Sequence, residues 1–195
     1  MVNKWYSLFS HTGSETQSLF ESEAVDLPLE AVFTNNMSYR GSLSKFGEPR
    51  LYWVSSYKDM NKLLSSDYIV EANSLITLNG YMGIVPADVL DSLKARGCKV
   101  YNIHPAPIQH YPELRGKDPQ ERMYEGIQRR EYTYIGVVIH EVDAGVDTGK
   151  IVHWVLELAD PSMSKDELYE RLHSMGLQAW ESFFRERMYL DGENN

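Results

Sequence analysis

Short apolar runs separated by polar stretches organise most of the chain, and their lengths and periods set the elements to expect. Trp5 to Phe9 is an apolar run that stops at the turn signal His11-Thr12-Gly13, so it reads as a strand. From Ser14 a helix can start that carries Leu19 and Phe20. Ala31-Val32-Phe33 and Leu51-Tyr52-Trp53-Val54 are further strands, and the polar, glycine-containing residues 36–50 between them read as a loop. Tyr57 to Leu64 reads as a helix and Ser74 to Leu78 as a buried strand. Pro86 and Gly97 bracket the next helix, whose apolar face is Val89, Leu90 and Leu93. Cys98 to Ile103 is then a strand. Asp118, Pro119 and Glu121 make an N-cap, N1 and N3 set for a helix ending about Gln128. Tyr134 to His140 and Ile151 to Leu156 are two strands around a glycine-rich connection. Ser164 and Glu167 form a capping box, followed by Leu168, Leu172, Met175, Trp180 and Phe183 at helical spacing.

Strands alternating with helices predict an α/β fold: an open, Rossmann-like, mostly parallel sheet with helices on both faces. The late strand pair has no helix between its members, so one strand is expected to run antiparallel. At 195 residues the chain fits a single domain, 1–195, large enough to bury a core without a disulfide or metal staple.

Composition narrows the partners. The formal net charge of −9 disfavours a nucleic-acid backbone as ligand, which calls for clustered Lys and Arg. Cys98, the lone cysteine, cannot pair within the chain, which points to a reducing compartment. Met1-Val2-Asn3-Lys4-Trp5 has no signal-peptide core, and no apolar run approaches the roughly 18 residues that span a bilayer. A cytoplasmic protein with no membrane partner is expected.

Three segments carry candidate chemistry. Asn102-Ile103-His104-Pro105 closes a strand, and side chains two apart on a strand share a face. Pro105 and Pro107 stop further pairing, so Asn102 and His104 stand at the carboxyl end, where ligands bind in open α/β sheets. Asp143-Ala144-Gly145-Val146-Asp147-Thr148-Gly149 is a sharp glycine-bearing loop with two acids, but it lacks the alternating acids of a calcium loop. Ser10-His11-Thr12-Gly13-Ser14-Glu15 is a turn leading into a helix, a place where backbone N–H groups can meet an anion. It has neither the three-glycine dinucleotide pattern nor the P-loop lysine. The spacing of the six histidines suggests no metal, and His140 and His153, inside strand-like stretches, read as structural.

In this order the three segments resemble the formyltransferase family that uses 10-formyltetrahydrofolate. Leu78-Asn79-Gly80-Tyr81-Met82, Tyr111-Pro112-Glu113-Leu114-Arg115-Gly116 and Val138-Ile139-His140 extend the resemblance from about residue 5 to residue 180. In length the chain is nearest to members that formylate glycinamide ribonucleotide in purine synthesis. The resemblance implies 10-formyltetrahydrofolate as co-substrate and a small-molecule primary amine as acceptor, with glycinamide ribonucleotide leading. Amino-sugar nucleotide formylation and a folate-binding module without turnover are the alternatives. It implies Asn102, His104 and Asp147 as the catalytic set. Leu78, Met82, Gly83, Ile84 and Val85 with Val142, Asp143, Ala144 and Gly145 would bind the folate. Gly13, Ser14, Glu15 and Pro105 would bind the acceptor. The family occurs as monomers or homodimers.

Three departures from the family pattern bear on the acceptor and the folate. Glu15 stands where an Asn is frequent, Gly83 replaces an Arg, and Gly176 falls where the glycinamide ribonucleotide enzymes carry a Glu.

Overall fold

The computed structural model describes residues 2–39 and 49–192, with side chains to residue 186. The expected loop at 36–50 lies mostly outside the described residues. Among the described residues seven strands and five helices follow one another: β1 (Lys4–Phe9), α1 (Ser14–Glu21), β2 (Leu29–Thr34), β3 (Arg50–Trp53), α2 (Tyr57–Ser65), β4 (Ser74–Leu78), α3 (Ala87–Ala95), β5 (Lys99–His104), α4 (Pro119–Gln128), β6 (Tyr134–Glu141), β7 (Ile151–Leu158) and α5 (Lys165–Gly192). A short 3-10 turn, Pro112–Leu114, precedes α4. The strands hydrogen-bond in the order β3-β2-β1-β4-β5-β6-β7. The first four pairings that contain β1 to β5 are parallel, and β6 with β7 is antiparallel. Among the described residues no helix is long and apolar enough to cross a membrane.

By internal contacts the chain divides into two compact units, Met1–Asn102 with Phe184–Asn195, and Ile103–Phe183. The first unit is built on β1, whose Trp5, Tyr6, Leu8 and Phe9 are at most 1% exposed. A strand with neighbours on both edges and both faces buried reads as a near-continuous apolar run, which is why Trp5–Phe9, with only the buried Ser7 polar, shows no alternation. Trp5 meets Phe184 edge to face, with ring centroids 5.4 Å apart. Ser56 caps α2 by accepting from the Asp59 N–H at 3.1 Å.

The second unit holds the end of β5, the β6–β7 hairpin and most of α5. The capping box at the start of α5 is made: the Ser164 N–H donates to Glu167 Oε2 at 2.7 Å, and the Glu167 N–H to Ser164 Oγ at 3.3 Å. Leu168, Leu172, Met175, Ala179 and Trp180 form its buried stripe. Each large apolar side chain withdrawn from water contributes about 1.5–3 kcal/mol, so this stripe outweighs the helix's own propensity.

The start of α4 differs from expectation. Asp118 precedes Pro119 as foreseen, but its φ of 52° turns its side chain away and no capping bond forms. Its carboxylate lies 3.7 Å from Lys117 Nζ instead. Arg122 supplies the order that the cap does not, donating to the carbonyls of Glu113 and Arg115.

Candidate active site

In the second unit a single carboxylate gathers the polar groups. β5 ends at His104, which is buried at 4% exposure. The β6–β7 connection brings Asp147 back to it, with Asp147 Oδ2 3.2 Å from His104 Nδ1. The same Oδ2 accepts the Gly116 N–H at 2.8 Å. His104 Nε2 donates to the Leu114 carbonyl at 2.8 Å, because a carbonyl oxygen can only accept. The other oxygen, Oδ1, lies 3.4 Å from Nε2 of His140. Burial pushes the Asp147 carboxyl up, but the bonds from His104, His140 and Gly116 outweigh it and hold it well below the usual carboxylate range.

The loop that delivers Asp147 is shaped by its own side chains. Asp143 Oδ1 accepts the Gly145 N–H at 3.0 Å and the Thr148 hydroxyl at 2.7 Å. Gly149 allows the chain to pass against the Glu141 carbonyl, whose oxygen would stand 1.8 Å from any Cβ there. Asp147 itself takes a φ of 53°, a left-handed conformation that Asp and Asn tolerate better than most residues. Ala144 and Gly145 are exposed, and Val142 is half-buried.

Asn102 lies two residues before His104 on β5, so the two side chains share a strand face; it is in register with Leu78 of β4. Pro105 follows directly and is half-buried.

In the first unit the turn after β1 is tied to a buried polar ladder. Trp5 Nε1 donates to Thr77 at 2.7 Å, and Thr77 and Ser7 both donate to Asn79 Oδ1, at 2.6 and 2.8 Å. With Oδ1 taken by two hydroxyls, the Asn79 amide must face outward, and its Nδ2 donates to Glu15 Oε2 at 3.1 Å. Thr16 joins through Ser7 at 2.6 Å. Glu15 is therefore a held carboxylate in the first turn of α1, beside Gly13, the N-cap residue, and the exposed Ser14.

The stretch after β4 mixes exposed and buried residues. Met82 and Ile84 are 63% and 68% exposed, whereas Leu78 and Val85 are buried. The Met82 N–H donates to Ser10 Oγ at 2.9 Å. Gly83 is there for space: a Cβ would stand 2.5 Å from the rings of Tyr57 and Tyr81. Burial of Tyr81 pushes its phenol up to about 12. The departure at Gly83 thus goes with a tyrosine pair that fills the room a side chain would need. Gly83→Ala is expected to destabilise the protein by about 1–3 kcal/mol in urea denaturation, through displaced rings. An unchanged midpoint would mean that the rings yield freely.

Of the two histidines that read as structural in the sequence, His140 and His153, the first stands against the Asp147 carboxylate. The five residues before it, Ile135 to Ile139, are apolar or glycine and buried, and only its place seven residues before Asp147 hinted at a role.

A family model described as formyl transferase matches residues 10–182. The chain belongs to the formyl transferase family. It is 33% identical over 194 residues to the phosphoribosylglycinamide formyltransferase of Schizosaccharomyces pombe, covering 89% of this chain and 91% of that one. It is 28% identical over 179 residues to the trifunctional purine biosynthetic protein adenosine-3 of Drosophila melanogaster, covering 85% of this chain but spanning only 12% of that protein's length. Among solved structures, glycinamide ribonucleotide transformylase 1 from Symbiobacterium toebii shares the fold with a TM-score of 0.78, at 20% identity and with 94% and 86% of the two chains covered. Phosphoribosylglycinamide formyltransferase from Streptococcus pneumoniae does so with a TM-score of 0.74, at 24% identity, covering 96% and 99%. The fold is accordingly the mostly parallel, Rossmann-like sheet expected from the alternating pattern.

Proposed function

We propose that this chain transfers the formyl group of 10-formyltetrahydrofolate to a primary amine, with glycinamide ribonucleotide the leading acceptor. The observation that carries the reading is the buried His104–Asp147 pair, 3.2 Å apart at the end of β5, in a chain of the formyl transferase family. The amine attacks the formyl carbon, and the carbonyl oxygen takes up negative charge. The intermediate collapses as the bond to the folate nitrogen breaks, and a proton passes from the amine to that nitrogen.

Asn102 and protonated His104 are the donors to the developing oxyanion, and Asp147 favours the imidazolium. His104 Nε2 is bonded to the Leu114 carbonyl, so donation to substrate from that nitrogen requires the carbonyl to yield. Leu78, Met82, Gly83, Ile84 and Val85, with the 142–145 segment, supply the folate contacts. Gly13, Ser14, Glu15 and Pro105 supply those to the acceptor. The two units act as one catalytic domain, as a monomer or homodimer. The reading calls for no metal and places the protein in the cytoplasm, in keeping with the lone buried thiol of Cys98.

The test is to mix the purified protein with 10-formyltetrahydrofolate and glycinamide ribonucleotide, with a panel of amino-sugar nucleotides alongside, and follow tetrahydrofolate release by absorbance. Turnover with glycinamide ribonucleotide supports the reading in full. Turnover only with an amino sugar keeps the chemistry and changes the acceptor. Tight folate binding without turnover on any amine overturns it.

Glu15 gives the acceptor assignment its own check. A carboxylate beside a phosphate costs affinity, and the cost grows as salt falls. Glu15→Asn is expected to lower KM for a phosphorylated acceptor about tenfold at low salt, with kcat unchanged. An unchanged KM would show that no phosphate lies near this turn.

A further inference from the structure

We propose that Arg122 is a positioning residue: by gripping the Glu113 and Arg115 carbonyls it fixes the peptide unit between Arg115 and Gly116, so that the N–H of that unit stays on Oδ2 of Asp147. The consequence for turnover rests on the formyl-transfer reading. The consequence for the backbone does not.

Three successive carbonyls in the turn before α4 go to two side chains. Those of Glu113 and Arg115 accept from Arg122, the second at 2.7 Å. That of Leu114, between them, accepts from His104 Nε2 at 2.8 Å. The Gly116 N–H then donates to Asp147 Oδ2 at 2.8 Å. The Arg115 carbonyl and the Gly116 N–H belong to one planar trans unit and point opposite ways. Arg122 therefore holds one end of that plane and Asp147 the other. A charged donor on the carbonyl also polarises the unit, which makes its N–H a better donor to the carboxylate.

Such a plane needs holding. Arg115 lies at φ −63°, ψ 155° and Gly116 at φ 79°, the combination found at the two central positions of a type II turn. Glycine takes either sign of φ about equally, so the same plane can turn over to its type I orientation with little change in the path of the chain. Turned over, it would aim the Arg115 carbonyl, in place of an N–H, at the Asp147 carboxylate. The residues that follow do not choose between the two. Lys117 and Asp118 are exposed, and Asp118, at φ 52°, makes no capping bond to α4.

Arg122 can make that choice. It projects from α4, whose Met123 and Ile127 are buried, and its neighbour Glu121 is bonded to Lys165 and to Tyr169 of α5. Its Nε is buried without a partner among the described residues, and both bonds from its terminal nitrogens go to main chain. The guanidinium fork grips two carbonyls at once, whereas a lysine ammonium is a single point on a flexible stem.

The test uses the whole protein with Arg122→Ala and Arg122→Lys. Arg122→Ala is expected to lower kcat about tenfold, the effect of one lost hydrogen bond to a charged group, while KM for 10-formyltetrahydrofolate stays the same. Arg122→Lys should be nearly as slow. Millimolar guanidinium should restore part of kcat to Arg122→Ala and leave the parent unchanged. Backbone amide exchange followed by NMR reads the plane without turnover: the Gly116 N–H should exchange about tenfold faster in Arg122→Ala, with the buried strand amide of Val138 unaffected. Parent kcat together with parent exchange at Gly116 would overturn the inference. So would exchange that speeds equally at Gly116 and Val138, since that marks a general loss of stability. Faster exchange at Gly116 with kcat unchanged would overturn the role in turnover. If the parent transfers no formyl group at all, the functional reading fails, and exchange at Gly116 alone still decides whether Arg122 holds the plane.

Discussion

Replacing His104 with alanine is expected to lower kcat for formyl transfer by about 100- to 1000-fold, the usual cost of removing one oxyanion donor. Folate affinity should change little. The side chain is buried and bonded to Asp147 and to the Leu114 carbonyl, so its removal takes a hydrogen-bond donor from the place where negative charge would develop in the proposed reaction. Steady-state rates, set beside folate affinity from fluorescence titration, check this. A fall in kcat with unchanged affinity places His104 in the chemical step. Unchanged kcat would remove it from the catalytic set, while parallel losses of kcat, affinity and thermal stability would mark it as structural.

Asp147→Asn is the second large effect and bears on stability as well as rate. Asn tolerates the left-handed backbone at this position, so the substitution changes charge with little strain. The amide offers one oxygen where two imidazoles and the Gly116 N–H converge on a carboxylate. Removing one partner of a mostly buried pair is expected to cost about 2 kcal/mol at neutral pH, at the modest end because the carboxylate is 12% exposed. The rate should fall about 100-fold or more as His104 loses its counter-charge.

The pH dependence has a fixed sign. The folded carboxyl lies below its unfolded value of about 3.9, so its stabilisation is fully present above that pH and is lost as pH falls toward the folded value. Urea denaturation at pH 7 and pH 3 should therefore show the gap between the parent and Asp147→Asn shrinking at the lower pH. An equal gap at both would mean that the ion pairs are not what Asp147 contributes.

Glu15 and Gly83, read along the chain as departures from the family pattern, each acquire a local cause. Glu15 is the outer end of a hydrogen-bonded ladder that begins at Trp5, and Gly83 is packed against Tyr57 and Tyr81. Both were visible as letters. The partners of Glu15 were not, because Thr77 and Asn79 lie more than sixty residues from it along the chain and meet it only through strand pairing.

What the sequence by itself determined is what local chemistry controls. The hydrophobic pattern set the order and type of the elements, from the short, largely apolar run at Trp5–Phe9 to the capping box at Ser164 and Glu167. Strand alternation put Asn102 and His104 on one face, and Pro105 marked where the strand must stop. The missing helix between the last two strands announced the antiparallel pair. The tertiary structure decided everything that depends on which distant groups come together. It left Asp118 without a capping bond by turning its backbone to a positive φ. It placed the Leu114 carbonyl on His104 and the Gly116 N–H on Asp147. It turned His140 from one more residue of an apolar strand into the second imidazole on the same carboxylate. The reason is physical: a buried charge must find partners from whatever elements surround it, and periodicity within one element carries no information about its neighbours.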